Sequence, residues 1–587
     1  MKKLFVFAAM GWLLTGCSKT LDKQPLSQIS PDNGFSSESE LQLYVRSFYD
    51  KMIPNADNED NSFTSLYTET ANLIVLTGLS PQQTGYRPIP VSGGGWDWSR
   101  LRNINYFLNN YQRGKLDSSI TNKYVAVARF FRAYFYSGMV ARFGDVPWYS
   151  RALEPSDTAE LYKPRDSRLL VMDSVLNDID FAIAHLGTNK SVAEVTKWTA
   201  LALKSRFCLF EGTFRKYHDS ANSLPGGPAF LQKAADAAAE LIDHGPYTIY
   251  KSQPAIAYRD LFASIAPIPD EVILARQYSA TLQVFHNVNY YTTAPSFGKP
   301  GLEKSFVNSY LMKDGTRFTD KPGYATMQFL QEVKDRDPRL SQTIRTPGYQ
   351  RLDGNVTLPP SYTSTVTGYQ LIKFVTGAAN DALAHSPNAL PVFRYAEVLL
   401  NYAEAKAELG GITQADIDKS IRLLRDRVGM PNMDLAAANA NPDPYLSGQF
   451  LHVTDPVNKG IILEIRRERR IELIMEGFAW NDLMRWKEGH LLAVQFKGAY
   501  FPGPGSYDLD GDGLTDLVIY TGAPPNVPGA QFLQLDVDVV LENGGSGGNI
   551  IINGKIPKQF HEERDYLFPI PTQEILLNQR LTQNPHW

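Results

Sequence analysis

The sequence predicts a mainly α-helical fold, an α/α superhelix of helix pairs stacked as in tetratricopeptide arrays, with a loop-rich half that contains short strands. Apolar residues recur with helical spacing over residues 38–245 and 392–490. Small and aromatic residues alternate on successive helices joined by short connections. Periodicity fades over residues 246–391, where Pro, Gly, Tyr and Thr dominate. With a loop-rich part at 491–587, these regions are expected to form one structural unit, residues 17–587.

Residues 1–16 are predicted to be a signal peptide. Lys2 and Lys3 precede the apolar run Leu4–Leu14, which is too short to span a bilayer. The run ends in LTGC, which fits the lipobox of bacterial lipoproteins, so Cys17 is expected to be lipidated and to become the mature N-terminus. Several acyl chains on Cys17 would anchor the protein stably. The alternative is a plain secretory signal with an incidental cysteine.

The composition limits the classes of partner. The 587 residues include 58 basic and 62 acidic side chains, and a formal charge of -4 gives no basic surface for nucleic acid. Thirty Tyr and thirty Phe residues provide the aromatic rings that a sugar or peptide binder needs, although cores use them too. With Cys17 lipidated, Cys208 has no disulfide partner and is expected to be a small core residue.

Amphipathic spacing and stop signals define the helices of the first half. The predicted helix Tyr124–Phe143 is followed by Gly144 and then Pro147, a combination that ends helices. The predicted helices are Glu38–Met52, Leu101–Tyr111, Tyr124–Phe143, Ser167–Leu186, Trp198–Phe210 and Leu231–His244.

The remainder of the chain is predicted to mix strands and helices. Short strands are expected at Tyr247–Tyr250, Glu271–Tyr278 and Leu517–Tyr520. Helical periodicity returns at Arg394–Leu409 and Ala415–Val428.

The segment Ile461–Lys487 has no Pro and a single Gly, and it predicts one long helix or a helix pair bent at Gly477. One face is apolar and must be buried against other helices; it carries Ile471, Ile474, Met475 and Phe478.

A second row on this segment consists of Glu468, Glu472 and Glu476 at i, i+4 and i+8. Like charges at this spacing repel one another, so cations from other segments, and neighbouring Arg469, are expected to reach them. Paired carboxylates also serve glycosidases. Three glutamates on one row flanked by arginines favour inter-helix ion pairs over catalysis.

The run RRERRIELIMEGFAWNDLMRWK resembles the SusD/RagB family of Bacteroidetes outer-membrane lipoproteins, which carry ERR-x-EL-x-x-EG-x-R-x-x-DL-x-RW near this position. The match departs from the pattern only where Ala479 or Trp480 replaces the usual Arg. The FGDVP turn after the third helix is also similar to the family. The resemblance covers nearly the whole mature chain and implies the repeat-like superhelix wrapped by an irregular half.

Two aromatic loops are candidate ligand sites, because flat rings pack on sugar rings while nearby polar groups bond the hydroxyls. They are Tyr86–Arg100 and Phe285–Phe297, and starch-binding relatives place an aromatic arc in about these parts of the chain. The expected stacking platforms are Trp96, Tyr290 and Tyr291, with Tyr86, Arg87 and Asn289 as further contacts. Trp98 is expected only to cap the following helix.

A third candidate site is a calcium loop of the form D-x-D-x-D-G-x-x-D, in which alternating acidic residues supply the oxygens that a hard cation needs. The loop lacks the bidentate Glu of an EF-hand, since Ile519 stands at position twelve. The expected ligands of a structural Ca²⁺ are Asp508, Asp510, Asp512, Asp516 and the carbonyl of Leu514. The alternative is an Asp/Gly-rich turn before a strand.

The resemblance implies a lipid-anchored protein of the outer membrane, exposed at the cell surface, that captures a glycan. It would deliver the glycan to a SusC-like TonB-dependent transporter and would not be an enzyme. Gly544–Gly548 satisfies G-x-S-x-G but lacks the flanking strand and helix of a nucleophile elbow. Alternatives are peptide uptake as in the RagB branch, a lipid-anchored glycoside hydrolase and a purely structural helical adaptor.

Overall fold

The computed structural model describes residues 34–54, 72–75, 79–219 and 223–587; the signal segment and Cys17 lie outside them. The first half is helical, as predicted, and Glu38–Met52 has the expected bounds. Ser37 caps it by accepting a hydrogen bond from the Glu40 amide. The other long helices of this half are Ser99–Asn110, Ser118–Phe143, Arg168–His185, Lys197–His218 and Gly227–His244.

The second helical region contains Tyr395–Glu408 and Lys459–Glu472. The helix expected at 415–428 is broken at Ser420 into Gln414–Lys419 and Ile421–Val428. The short helices of this region are Leu435–Ala440, Pro444–Gln449 and Ala479–Arg485.

The Ile461–Lys487 segment is a bent helix pair. Its first helix ends at Glu472, and the chain turns through Met475 and Gly477, which have φ of 62° and 80°, before Ala479 begins the next helix. Met475 is buried, but in the turn and not on the expected helical face. Glu476 therefore also lies beyond the end of the helix that carries Glu468 and Glu472.

The irregular half has little sheet. Val272–Arg276 pairs antiparallel with Leu390–Arg394, within the expected 271–278 segment. The strand expected at Tyr247–Tyr250 is absent, and the Thr248 amide instead donates to the Asp270 carbonyl. Short helices here are Ala257–Ala263, Val288–Thr293, Lys304–Ser309, Phe329–Glu332 and Pro338–Thr343.

The C-terminal part contains two small sheets. Lys497–Phe501 pairs antiparallel with Gly548–Ile551. Leu517–Tyr520 forms a strand with the predicted bounds, antiparallel to Gly505–Tyr507 on one side and parallel to Gln531–Gln534 on the other. The chain then ends in the short helix Thr572–Leu577 and an extended tail.

Two large apolar cores underlie this arrangement. The larger is built from the helices of residues 35–249 and 392–486 and includes Cys208, a free and fully buried thiol as expected. The second joins the irregular half to the C-terminal sheets. In the part of the chain that the structure describes, no helix is both long and apolar enough to cross a membrane.

The glutamate row joins the two halves of the protein. Glu472 contacts Arg394 at 2.8 Å, Arg427 at 2.5 Å and Arg339 at 3.2 Å, and all four side chains are at most 2% exposed. Arg339 comes from the irregular half, whereas Arg394 and Arg427 come from the helical region. The carboxylates are therefore paired by distant cations, as predicted.

The expected neighbour Arg469 is not among the partners of this row. It bonds Asp482 at 2.8 Å and Asn401 at 2.8 Å. The last two residues of the family-like ERR…DL-x-RW motif also pair with a buried carboxylate. Arg485 and Trp486 both donate to Glu404, at 2.8 Å and 2.6 Å.

Candidate ligand-binding site

An aromatic cleft, called the Trp98 cleft below, lies where helix Ser99–Asn110 begins. Three glycines before Trp96 adopt positive φ, and the Trp96 amide closes the turn on the Gly93 carbonyl at 2.9 Å. A Cβ on Gly95 would lie 2.7 Å from Nε of Arg142, which itself donates to the Gly94 carbonyl at 3.0 Å. The glycine run thus lets the loop fold tightly under Arg142 and sets the position of the two tryptophans.

The cleft has a cavity volume of about 460 Å³ and a largely apolar wall. Trp98 stands edge-on to Trp96 at 5.3 Å and to Tyr149 at 5.4 Å between ring centroids. Tyr162 and Leu577 complete the wall and are 50% and 63% exposed. This volume and lining are those of a small-molecule site.

Polar groups surround the apolar wall. The buried Asn105 amide donates to the Tyr149 and Arg151 carbonyls at 2.8 and 3.2 Å, which fixes the segment that carries Tyr149. Arg151 forms a two-point pair with Asp157 at 2.6 and 2.8 Å. Burial raises the pKa of Tyr149 to about 12, so its hydroxyl stays protonated at neutral pH. Arg102, Glu574 and Asn578 also line the cleft.

The structure reverses the roles expected of the two tryptophans. Trp96 is only 6% exposed, with its ring edge-on to Phe143 at 5.0 Å, so it supports the cleft and cannot act as an open stacking platform. Trp98 directly precedes the helix, but its side chain makes no capping bond and its half-buried ring lines the cleft. No sequence pattern pointed to Tyr149 or Tyr162, which the chain after the FGDVP turn brings to the cleft.

Arg87 and Tyr86 lie outside the lining of this cleft. Arg87 is 7% exposed, 3.5 Å from Asp565, and its guanidinium lies 4.2 Å from the ring centroid of Phe568. Burial lowers the pKa of Arg87 to about 10. Arg87 therefore ties the loop to the C-terminal tail instead of facing a ligand, whereas Tyr86 is 77% exposed.

The second predicted loop belongs to the other core. Asn289 is fully buried, donating to Asp381 at 2.7 Å and accepting from the Thr376 amide at 2.7 Å. Tyr291 is buried and stacks on Phe297 at 4.8 Å, which leaves Tyr290 half-buried as the accessible ring. Neither Asn289 nor Tyr291 can offer the open contact that the sequence predicted, and none of this loop lines the Trp98 cleft.

The predicted calcium loop brings three carboxylates together. One oxygen each from Asp508, Asp510 and Asp516 lies within 4.8 Å of the others. The pKa values of Asp510 and Asp516 are raised, first by burial and then by the neighbouring carboxylates, a repulsion that a cation would relieve. Asp512 does not join this cluster and accepts from the amide of Leu514 at 2.7 Å.

Comparison with known proteins identifies the family. The model described as "SusD family" matches residues 270–587, and a model described as "Starch-binding associating with outer membrane" matches residues 47–225. The chain belongs to the SusD family. It is 23% identical over 514 residues to SusD-like protein P38 of Formosa agariphila, an alignment covering 81% of this chain and 88% of that protein.

Solved structures of SusD-like proteins share the fold. A SusD-like carbohydrate-binding protein from Bacteroides fragilis superposes with a TM-score of 0.69 at 22% identity, covering 93% of this chain and 99% of the other. A laminarin-binding SusD-like protein superposes with a TM-score of 0.56 at 18% identity, covering 94% and 100%. These likenesses confirm the mainly α-helical SusD-like fold that the sequence predicted.

Proposed function

We propose that this SusD-like protein captures a glycan in the Trp98 cleft and releases it uncleaved. The observation that carries the proposal is the cleft itself, in which aromatic rings form an apolar wall and charged and amide groups surround it. Sugar rings have apolar C–H faces and polar hydroxyl edges, so this arrangement matches both parts of the ligand. The descriptions of the starch-binding family model and of the carbohydrate-binding and laminarin-binding neighbours support the same class of ligand.

The proposal assigns no catalytic residue. Hydrolysis by two carboxylates needs a pair that flanks the sugar bond at roughly 5 to 10 Å. Within the described part of the chain, Glu574 is the only carboxylate that lines the cleft, and the Glu468–Glu476 row is buried and held in ion pairs. Both findings favour binding over cleavage.

Lipid attachment at Cys17 would hold the protein on the outer membrane, facing outwards, and a SusC-like TonB-dependent transporter would receive the glycan. The LTGC sequence supports the anchor, and the outer-membrane description of the matching family model supports the location. Delivery to the transporter rests on the family resemblance.

Calorimetric titration of the purified full-length protein, in a detergent without sugar groups, tests the binding role. A panel of polysaccharides, oligosaccharides and peptides would be added, and each mixture would be assayed for shortened products. Trp98→Ala and Tyr162→Ala should each weaken glycan binding about 30-fold, the loss expected when an aromatic contact worth about 2 kcal/mol is removed.

Tyr86→Ala is the matched control, because Tyr86 is an exposed aromatic residue that does not line the cleft. It should bind like the unmodified protein, and thermal melting should show that all variants fold. Unchanged binding by both cleft variants would refute the site. Binding of peptides alone would replace the ligand class, and shortened sugars would refute the non-catalytic role.

A further inference from the structure

A second cavity lies beside Arg470, near the end of helix Lys459–Glu472. It has a volume of about 400 Å³ and shares no lining residue with the Trp98 cleft. Helix Lys304–Ser309 and strand Lys497–Phe501 from the irregular and C-terminal parts meet helix Pro444–Gln449 there. The volume lies within the range of roughly 300 to 1,000 Å³ that is usual for small-molecule sites.

Two buried charges line this cavity without an ion-pair partner among the described residues. Arg470 is 7% exposed, and among the described residues its guanidinium donates only to amide oxygens, to Asn72 at 2.7 Å and to Gln449 at 3.2 Å. Burial lowers its pKa to about 10. Glu303 is 3% exposed and accepts from the amides of Ser305 and Lys497, at 2.6 and 3.1 Å. Burial raises the pKa of Glu303.

This pattern differs from that of Glu468, Glu472 and Glu476 on and just after the same helix, which are matched by cations. A buried charge that is not paired costs several kcal/mol of desolvation unless other groups solvate it. Arg470 can still donate towards a ligand, and Glu303 can still accept. Together they make the cavity suited to a ligand that carries both acceptors and donors.

Two side-chain amide oxygens in the cavity lining, like the Glu303 carboxylate, can accept hydrogen bonds from a ligand. Asn308 is 8% exposed, and its Oδ1 is buried with no hydrogen-bond partner in the described part of the chain. Oδ1 of Asn549 is also buried and without a partner there. Leaving a buried acceptor without a hydrogen bond is unfavourable, so these oxygens favour a ligand rich in hydroxyl donors.

Two tyrosines supply the apolar contact. The rings of Tyr324 and Tyr445 stand nearly perpendicular, with centroids 6.3 Å apart, and both side chains are half-buried in the cavity lining. The Tyr445 hydroxyl is held by the Ser305 carbonyl at 3.1 Å, which fixes the orientation of its ring. An aromatic face beside unsatisfied acceptors is the combination that a sugar ring requires.

We propose that this cavity is a second binding site, for a single neutral sugar unit, either free or at the end of a chain. Sugar hydroxyls can donate to Glu303, Asn308 and Asn549 and accept from Arg470, while the sugar ring packs on Tyr324. The proposal shares a ligand class with the function proposed above but rests on none of the same residues. A zwitterionic amino acid is the competing ligand, because Arg470 and Glu303 alone would suit its two charges.

Calorimetry on the full-length protein tests the site, with D-glucose, D-galactose, D-mannose and D-xylose as separate probes and glycine as the zwitterion. At least one sugar should bind with one-to-one stoichiometry and persist in Trp98→Ala. Asn549→Ala should weaken it about fivefold, as expected for one lost hydrogen bond, and Tyr324→Ala about tenfold. A crystal soaked in the bound sugar should show it between Tyr324 and Arg470.

Asn432→Ala is the matched control, because the Asn432 amide bonds an exposed carboxylate, Asp418, much as Asn549 bonds Glu542, and Asn432 does not line this cavity. It should bind the sugar normally, and melting curves should match for all variants. Sugar density elsewhere, unchanged affinity in both cavity variants, or binding of glycine without any sugar would overturn the proposal. A cleft that binds no glycan, with the cavity result intact, would refute the proposed function alone.

Discussion

Replacing Glu472 by Gln tests whether helix Lys459–Glu472 is held in place by charge pairing. Glu472 belongs to a buried network of five cations and five carboxylates among the described residues, so its charges balance. The members are Arg339, Lys373, Arg394, Arg425, Arg427, Glu271, Asp337, Glu468, Glu472 and Glu476. Gln keeps the size of Glu but removes the charge, which leaves one cation of the network uncompensated.

The expected loss follows from burial. Glu472 is 0% exposed and contacts three guanidinium groups, which hold the pKa of its carboxyl well below the usual range despite burial. Removing one partner of a buried pair costs about 3 to 5 kcal/mol. Unfolding entropies of about 2.1 cal/mol/K per residue give about 1.2 kcal/mol/K for this chain, so Tm should fall by about 2 to 4 °C.

Urea unfolding and calorimetric melting at pH 7 would measure the change. The control is Glu563→Gln, because Glu563 is 82% exposed and its contact with His586 is worth less than about 1 kcal/mol. A carboxyl whose pKa is lowered by folding stabilises the folded protein at any pH above the ordinary pKa of Glu. That stabilisation is lost progressively as the pH falls from the ordinary pKa towards the lowered one. The difference between Glu472→Gln and the unmodified protein should therefore shrink in acid. A loss of less than 1 kcal/mol at pH 7 would refute the network argument.

Three further predictions concern the metal loop, acid stability and the membrane anchor. Ca²⁺ should raise Tm. Asp510→Asn should abolish this increase, whereas Asp512→Asn should largely retain it, because Asp510 and not Asp512 belongs to the carboxylate cluster. The same Tm with Ca²⁺ and with chelator would exclude the site. His286 is fully buried, with a pKa lowered by burial to about 4, and its Nδ1 accepts from the Val288 amide. Between pH 6.5 and 4 this histidine therefore binds a proton in the unfolded chain but not in the folded protein, so acidification should lower the free energy of unfolding by about 3 kcal/mol. In urea unfolding at a series of pH values, His286→Gln should flatten the dependence of this free energy on pH. An unchanged dependence would contradict the assignment to His286. Cys17→Ala should move the protein from the membrane fraction to the aqueous fraction, and unchanged fractionation would rule out lipidation there.

The sequence was sufficient for features that depend on local spacing. Helical periodicity located Glu38–Met52 with its observed bounds, and Gly477 located the bend after helix Lys459–Glu472. Repulsion along the row of Glu468, Glu472 and Glu476 required cations from elsewhere, and the structure contains them. These predictions hold because helix formation and like-charge repulsion act between residues that are close in the chain.

The sequence could not show which aromatic rings are accessible in the folded protein. Trp96 and Trp98 are two residues apart and chemically identical, yet Trp96 is 6% exposed whereas Trp98 is only half-buried. The difference comes from Phe143, which covers Trp96, and from the distant residues Tyr149 and Leu577, which form the cleft with Trp98. The same limit applies to Asn289 and Arg87, whose partners Asp381 and Asp565 come from other segments.

Sequence alone therefore determined the helical framework, the family resemblance and the need to neutralise the glutamate row. Tertiary structure decided that Arg339, Arg394 and Arg427 neutralise Glu472, that Trp98 lines a cleft, and that Arg470 has no carboxylate partner among the described residues. The physical reason is that periodicity is encoded within a few residues. Exposure and charge pairing depend on segments that meet only when the chain packs its cores.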